Sequence, residues 1–146
     1  MAGVPRAPMP EGDTIRRMAA SIDERFAGQT VQRSTFRHPR LATASFNDRT
    51  LVGADARGKH LLVRFDDGRS LHAHMLMQGR VVYWPARDVP EWRRRFEFGL
   101  QEGVITGIDV PKLDIVKTAD EDRLLAYLGP DLCGVYDHRA AVATLR

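Results

Sequence analysis

A mainly β fold with flanking helices, its antiparallel sheet system led by one amphipathic helix, is what this sequence of 146 residues predicts. Three observations carry that expectation. Helical periodicity is confined to residues 13–26 and to two short stretches near the end of the chain. Between them lie short runs rich in Val, Ile, Thr, Phe and Tyr, and turn residues such as Asp66, Asp67 and Gly68 punctuate the runs. At 43% hydrophobic content the chain can bury one modest core, which points to a single domain.

The first element runs from Asp13 to Phe26, where Ile15, Met18, Ala19, Ile22 and Phe26 fall at helical spacing. Asp13 or Thr14 is the candidate cap and Gly28 the stop. Strands are predicted in "TVQRSTF", "TLVGADA", "HLLVRF", "SLHAHML" and "RVVYW", then in "RFEFGL" and "VITGIDV", joined near Glu102 and Gly103, and in "KLDIVK". "ADEDRLLAYLGPDL" reads as a short helix stopped at Gly129 and Pro130, and "DHRAAVATLR", residues 137–146, as the start of another. Residues 1–8 have no apolar periodicity and are expected to be disordered.

Composition narrows the function classes. Lys and Arg number 22 against 19 Asp and Glu, a net charge of +3, so attraction for polyanions has to come from local clustering. The one cysteine, Cys133, excludes an internal disulfide, offers no Cys-x-x-Cys pair for zinc and reads as a small buried apolar residue. No apolar run approaches the roughly 20 residues that cross a bilayer, and "MAGVPRAP" lacks the apolar centre of a signal peptide. The expectation is a soluble, cytoplasmic chain.

Residues able to touch a phosphodiester or a sugar form the candidate chemistry. "ARGKHLL" sets Arg57, Gly58, Lys59 and His60 at a strand entry, where a lysine beside a glycine either reaches a phosphate unhindered or is simply a solvated edge residue. His72 and His74 share one face of a strand by alternation; with no third ligand nearby, a structural or phosphate-contacting role is the expectation over metal binding. Met75, Leu76 and Met77 stand before Gly79 in a turn-like setting, and apolar residues projecting from such a loop can wedge between stacked bases. Pro10 and Glu11 in "MPEGDTI" taken alone are an ordinary helix-start signal.

"MPEGDTI", "ARGKHLL" and "HMLMQGRV", in that order and at those separations, resemble the amino-terminal domain of the formamidopyrimidine-DNA glycosylase and endonuclease VIII family over residues 9–146. The first motif and "YLGPDL" are nearer to the endonuclease VIII branch. The resemblance implies a two-layer antiparallel β-sandwich flanked by helices, and a bifunctional enzyme that excises oxidised bases from double-stranded DNA and nicks the abasic strand. It implies Pro10 as the amine that attacks C1′, Glu11 as acid and base, and Lys59 as holder of the phosphate beside the lesion. Met77 would fill the gap left by the flipped base, Leu76 and Gln78 would meet the orphaned partner base, and Arg57 and His74 would add DNA contacts. The protein is expected to act as a monomer without a cofactor in this chain, because the family's zinc finger lies further toward the carboxy terminus.

Three departures shape these expectations. Pro10 follows Met9 in a peptide bond, and an amide nitrogen has no nucleophilic lone pair, so Pro10 makes sense as an amine only in a chain that begins there. Residues 9–132 would form the catalytic domain and 133–146 the start of a helix, two-turn, helix domain that continues in the family. The strands around "GIDVPKLDI" lack the Asp-Pro-Arg-Arg-Phe-Gly type loop, which favours oxidised pyrimidines over 8-oxoguanine. The alternative is a non-catalytic DNA-binding module that uses its basic face, including Arg93, Arg94 and Arg95, which read either as a solvated surface or as phosphate contacts.

Overall fold

The computed structural model describes residues 11–128. Helix α1 (Glu11–Phe26) is followed by β1 (Val31–Phe36), β2 (Leu51–Arg57), β3 (His60–Phe65), β4 (Arg69–His74), β5 (Arg80–Val82), β6 (Arg94–Leu100), β7 (Gly103–Ile108), β8 (Lys112–Lys117) and helix α2 (Glu121–Leu128). The strands form two antiparallel four-stranded sheets, ordered β1-β6-β7-β5 and β2-β3-β4-β8. This is the mainly β architecture with flanking helices that the sequence predicts.

An aromatic cluster joins the layers. Phe46, in the loop between β1 and β2, stacks on Phe65 of β3 with ring centroids 4.0 Å apart, and meets Phe36 of β1 and Phe98 of β6 edge-on at 5.9 and 6.0 Å. One side chain thus touches both sheets. Edge-to-face and offset rings add to area burial, and all four rings belong to the main core.

Strands β3 and β4 are buried on both faces, which is why "HLLVRF" reads as a continuous apolar run rather than an alternating one. Leu61, Val63 and Phe65 face the core with Leu71 and Ala73. The opposite face carries Arg64 and Ser70, and both bond to Glu121 at the start of α2. A buried carboxylate therefore fastens α2 to the sheet, with Glu121 only 3% exposed.

Helix α1 buries Ile15, Ala19, Ile22 and Phe26, the stripe that its periodicity predicts, and Gly28 ends it at φ +92°. It begins at Glu11, so neither Asp13 nor Thr14 is its cap. Asp13 lies inside the first turns and pairs with Arg16 and Arg17, three and four residues on. Three strands also end sooner than predicted: β4 stops at His74, β5 at Val82 and β7 at Ile108. The predicted stop at Gly129 and Pro130, Cys133, and residues 1–8 and 137–146 lie outside the described residues.

Candidate nucleic-acid interface

Helix α1 and strand β2 run antiparallel in close contact. The Gly28 amide donates to the Leu51 carbonyl at 2.7 Å, and the Ala54 amide donates to the Asp23 carboxylate at 3.1 Å. Gly53 permits that approach, because a Cβ there would stand 2.6 Å from Asp23 Oδ1. From Asp23 back to Glu11 the helix travels roughly 18 Å at 1.5 Å per residue. From Ala54 to Lys59 the strand and its turn travel roughly 17 Å. The first turn of α1 and the Gly58–Lys59 turn therefore lie at the same end of the molecule.

The β2–β3 connection is a two-residue hairpin, with Gly58 at φ +58° in its first central position. Such turns demand a positive φ there, which explains the glycine before Lys59. Lys59 is half-buried, and among the described residues no carboxylate forms an ion pair with it. Its neighbour Arg57 is different, pairing with Asp122 of α2 at 2.5 Å.

The Lys59 carbonyl accepts the Met75 amide at 2.9 Å, and the Gly79 amide closes the next loop onto the Met75 carbonyl, also at 2.9 Å. Gly79 is required by proximity, since a Cβ would stand 2.8 Å from the Met75 carbonyl oxygen. Leu76 takes φ +52°, a costly conformation for a non-glycine residue, and turns the chain outward. Met77 then stands 74% exposed, with the exposed Gln78 accepting its amide through Oε1 at 3.2 Å. Met75 does not project with them. It is wholly buried and anchors the loop, because its amide and carbonyl are both engaged at the strand end.

Behind this loop three histidines meet on the face of β3 and β4 that alternation assigns to His72 and His74. His60 stacks on His74 with centroids 4.1 Å apart, and His60 Nδ1 lies 2.8 Å from His72 Nε2. Burial pushes the His72 imidazole below its ordinary pKa, and charge on His74 pushes it the same way. Sequence reasoning missed the role of His60; its position opposite His74 in the β3–β4 register is the signal that finds it. Among the described residues no group of three or more His, Cys, Asp or Glu is placed to hold a metal ion.

The arginine run beyond the loop is largely committed inside the protein. Arg93 grips Asp109 through two bonds of 2.9 and 2.6 Å, which raises the guanidinium pKa and holds the Asp109 carboxyl below the usual range. Arg94 bonds to the Val89 carbonyl at 3.2 Å. These two are neither plain solvated charges nor unengaged phosphate contacts, because each has an intramolecular acceptor. Arg95 differs again: its buried Nε has no hydrogen-bond partner.

Of the residues singled out in the sequence, the structure gathers Lys59, His74, Leu76, Met77 and Gln78 around one loop, with the first turn of α1 at the same end. Glu11 opens that helix. Pro10 lies outside the described residues. Among the described residues no helix is long and apolar enough to cross a membrane.

The formamidopyrimidine-DNA glycosylase N-terminal domain profile matches residues 9–113. A protein of Streptomyces coelicolor named "Probable endonuclease 8 2" is 38% identical over 143 residues, covering 94% of this chain and 52% of that protein. A DNA-(apurinic or apyrimidinic site) lyase of Mycolicibacterium smegmatis is 33% identical over 126 residues, covering 86% of this chain and 49% of its own length. Among solved structures, the Lactococcus lactis formamidopyrimidine-DNA glycosylase bound non-covalently to DNA containing an abasic site superimposes with a TM-score of 0.64 at 21% identity, covering 85% of this chain and 51% of that one. That likeness speaks for the fold. The chain spans about half the length of the curated relatives it matches, and it belongs to the formamidopyrimidine-DNA glycosylase and endonuclease VIII family through that family's amino-terminal domain.

Proposed function

We propose that this chain is the catalytic half of a base-excision repair glycosylase with abasic-site lyase activity, acting as a cytoplasmic monomer on double-stranded DNA and favouring oxidised pyrimidines. The observation that carries the proposal is the gathering of the α1 start, Lys59 and the exposed Met77 at one end of the sandwich. A sugar, its phosphate and a gap in the base stack demand three such groups within one nucleotide's reach.

In this reading Pro10, as a free amino terminus, attacks C1′ through its secondary amine, and the base departs with its bonding electron pair. Glu11 protonates the sugar ring oxygen, and the opened sugar becomes an iminium on the proline nitrogen. The iminium acidifies the C2′ hydrogen. Its loss to a base and departure of the 3′ phosphate nick the strand, and water then releases the proline. Lys59 holds a neighbouring phosphate through its ammonium, a sequence-independent contact. Met77 occupies the space the flipped nucleotide leaves, offsetting part of the few kcal/mol that flipping costs. Leu76 and Gln78 face the partner base, and His74 adds a further contact. Arg57 joins the DNA only by giving up Asp122. No cofactor enters these steps.

The test is strand cleavage by a chain begun at Pro10, offered duplexes carrying an oxidised pyrimidine, 8-oxoguanine or an abasic site. Cleavage of the abasic and pyrimidine duplexes ahead of 8-oxoguanine supports the proposal. Inertness toward all three while a control glycosylase cuts them would overturn it, and preference for 8-oxoguanine would overturn the pyrimidine assignment.

A further inference from the structure

Strands β3 and β4 place three imidazoles on one sheet face. His60 lies opposite His74 across β3 and β4, and His72 lies opposite Asp114 across β4 and β8. His60 and His72 are only 5% and 9% exposed, whereas His74 is half-buried. His72 and His74 line a cavity of about 300 Å³, so solvent reaches the stack from that side.

Such a stack has room for one positive charge. The 2.8 Å contact between His60 Nδ1 and His72 Nε2 holds a single hydrogen, because two charged rings would set one N–H against another. His60 also lies face to face with His74 at 4.1 Å, where two imidazolium rings repel. Burial pushes the His72 pKa down, and charge on His74 does the same, which leaves the charge to the ring nearest solvent, His74.

The acids around the stack are already shared with arginines. Asp114 on β8 is held at 3.1 Å by Arg40, from the loop between β1 and β2. On α2, Glu121 is gripped by Arg64, and Asp122 by Arg57, the residue opposite His60 on β2. Lys112 of β8 stands opposite His74, His38 lines the same cavity, and Lys59 immediately precedes His60. A positive His74 thus has cations for neighbours and acids committed elsewhere. An arriving phosphate brings negative charge that no arginine has yet claimed, and it draws a proton onto the ring.

We infer that His60 and His72 position His74 to take up one proton from solvent when it meets a DNA phosphate, so that the stack couples DNA affinity to pH. This rests on the proposed function, in which His74 contacts the DNA, and it gives roles to two rings that touch no nucleotide. The face of His60 orients the His74 ring, and the hydrogen shared with His72 keeps His60 from taking the proton itself.

The experiment titrates the full 146-residue chain with a duplex carrying a tetrahydrofuran abasic analogue, at constant low salt, from mildly acidic to mildly alkaline pH. Affinity should fall by up to about tenfold per pH unit as pH rises through the histidine range, the slope for one proton. Calorimetry in two buffers of different ionisation enthalpy should count at most about one proton taken up per complex. An uptake of none, or of two, would overturn the single-charge stack. His74→Gln should flatten the pH dependence, and a slope that persists in it would hand the effect to another group such as His38 and overturn the inference. His60→Phe keeps a flat ring against His74 but removes the competing nitrogen, so the midpoint should rise by about half a pH unit. An unmoved midpoint, or an equal loss of affinity at every pH, would leave His60 a packing role alone. If His60→Phe fails to fold, the calorimetric count on the parent chain still decides. Lys59→Ala should weaken binding at every pH. If it does while the parent shows no pH dependence, the histidine inference is wrong and the DNA-binding reading survives. If neither pH nor Lys59→Ala changes binding, both fall.

Discussion

The backbone carbonyl of Lys59 accepts the amide of Met75 at 2.9 Å, so the turn that presents a cation and the loop that presents Met77 are fixed to each other. Neither can shift by more than a few tenths of an ångström without losing this bond. The backbone spacing between the Lys59 turn and the Met77 loop is thereby set by the sheet.

Met75 and Met77 are two residues apart and should respond oppositely to truncation. Met75 is wholly buried, so Met75→Ala should cost about 2 to 5 kcal/mol. Met77→Ala should stay within roughly 0.5 kcal/mol of the parent in a urea melt. It should nevertheless lower excision from duplex DNA while leaving single strands nearly untouched, because a single strand has no stack to hold open. Equal impairment on both substrates would remove Met77 from the wedge role.

Gly79→Ala should distort the loop. Its Cβ would press on the Met75 carbonyl oxygen at 2.8 Å and on Met75 Cα at 3.0 Å, backbone atoms that cannot swing aside. Overpacking of this kind costs about 1 to 3 kcal/mol. A thermal melt indistinguishable from the parent would show that the loop relaxes freely.

Glu121→Ala should loosen α2 from the sheet. Arg64 loses its bidentate partner, Ser70 keeps only the Thr118 hydroxyl, and the Arg64 guanidinium, whose pKa the Glu121 bonds raise, is left beside Asp55 alone. Removing one partner from a part-buried charged network costs about 1 to 3 kcal/mol. Glu121→Gln, which keeps an acceptor, should recover part of the loss in chemical denaturation.

The histidine stack sets a pH dependence of stability. The folded protein holds the His72 pKa below its unfolded value, chiefly by burial, so the unfolded chain binds more protons as pH falls. Stability from this group is present above the unfolded histidine pKa and declines as the solution is acidified through it toward the lowered folded value. Melting temperatures measured from neutral to mildly acidic pH should fall less steeply in His72→Gln than in the parent. Parallel slopes would show that His72 does not titrate in this way.

Much of this was legible in the sequence, for identifiable reasons. The α1 stripe, the strand runs and the Asp66–Gly68 turn follow from periodicity and turn chemistry, which are local. Lys59 and Met77 were readable because Gly58 beside the one and Gly79 two residues after the other mark a backbone that must turn sharply or pack closely. The buried fate of Met75 was not, since it depends on which residue of the loop the β4 end points inward. The engagement of Arg57 with Asp122 and of Arg93 with Asp109 joins residues 65 and 16 positions apart, contacts no local pattern encodes.

The most direct measurement is borohydride trapping on abasic-site DNA, comparing the chain begun at Pro10 with the chain that retains residues 1–9. Reduction converts an iminium between the proline nitrogen and the opened sugar into a stable amine link, visible as a shifted band and as a peptide mass at Pro10. A covalent adduct at Pro10 from the shortened chain, and none from the longer one, is the predicted result. No adduct from the shortened chain under conditions where a control glycosylase is trapped, or equal adducts from both, would contradict amine catalysis by Pro10.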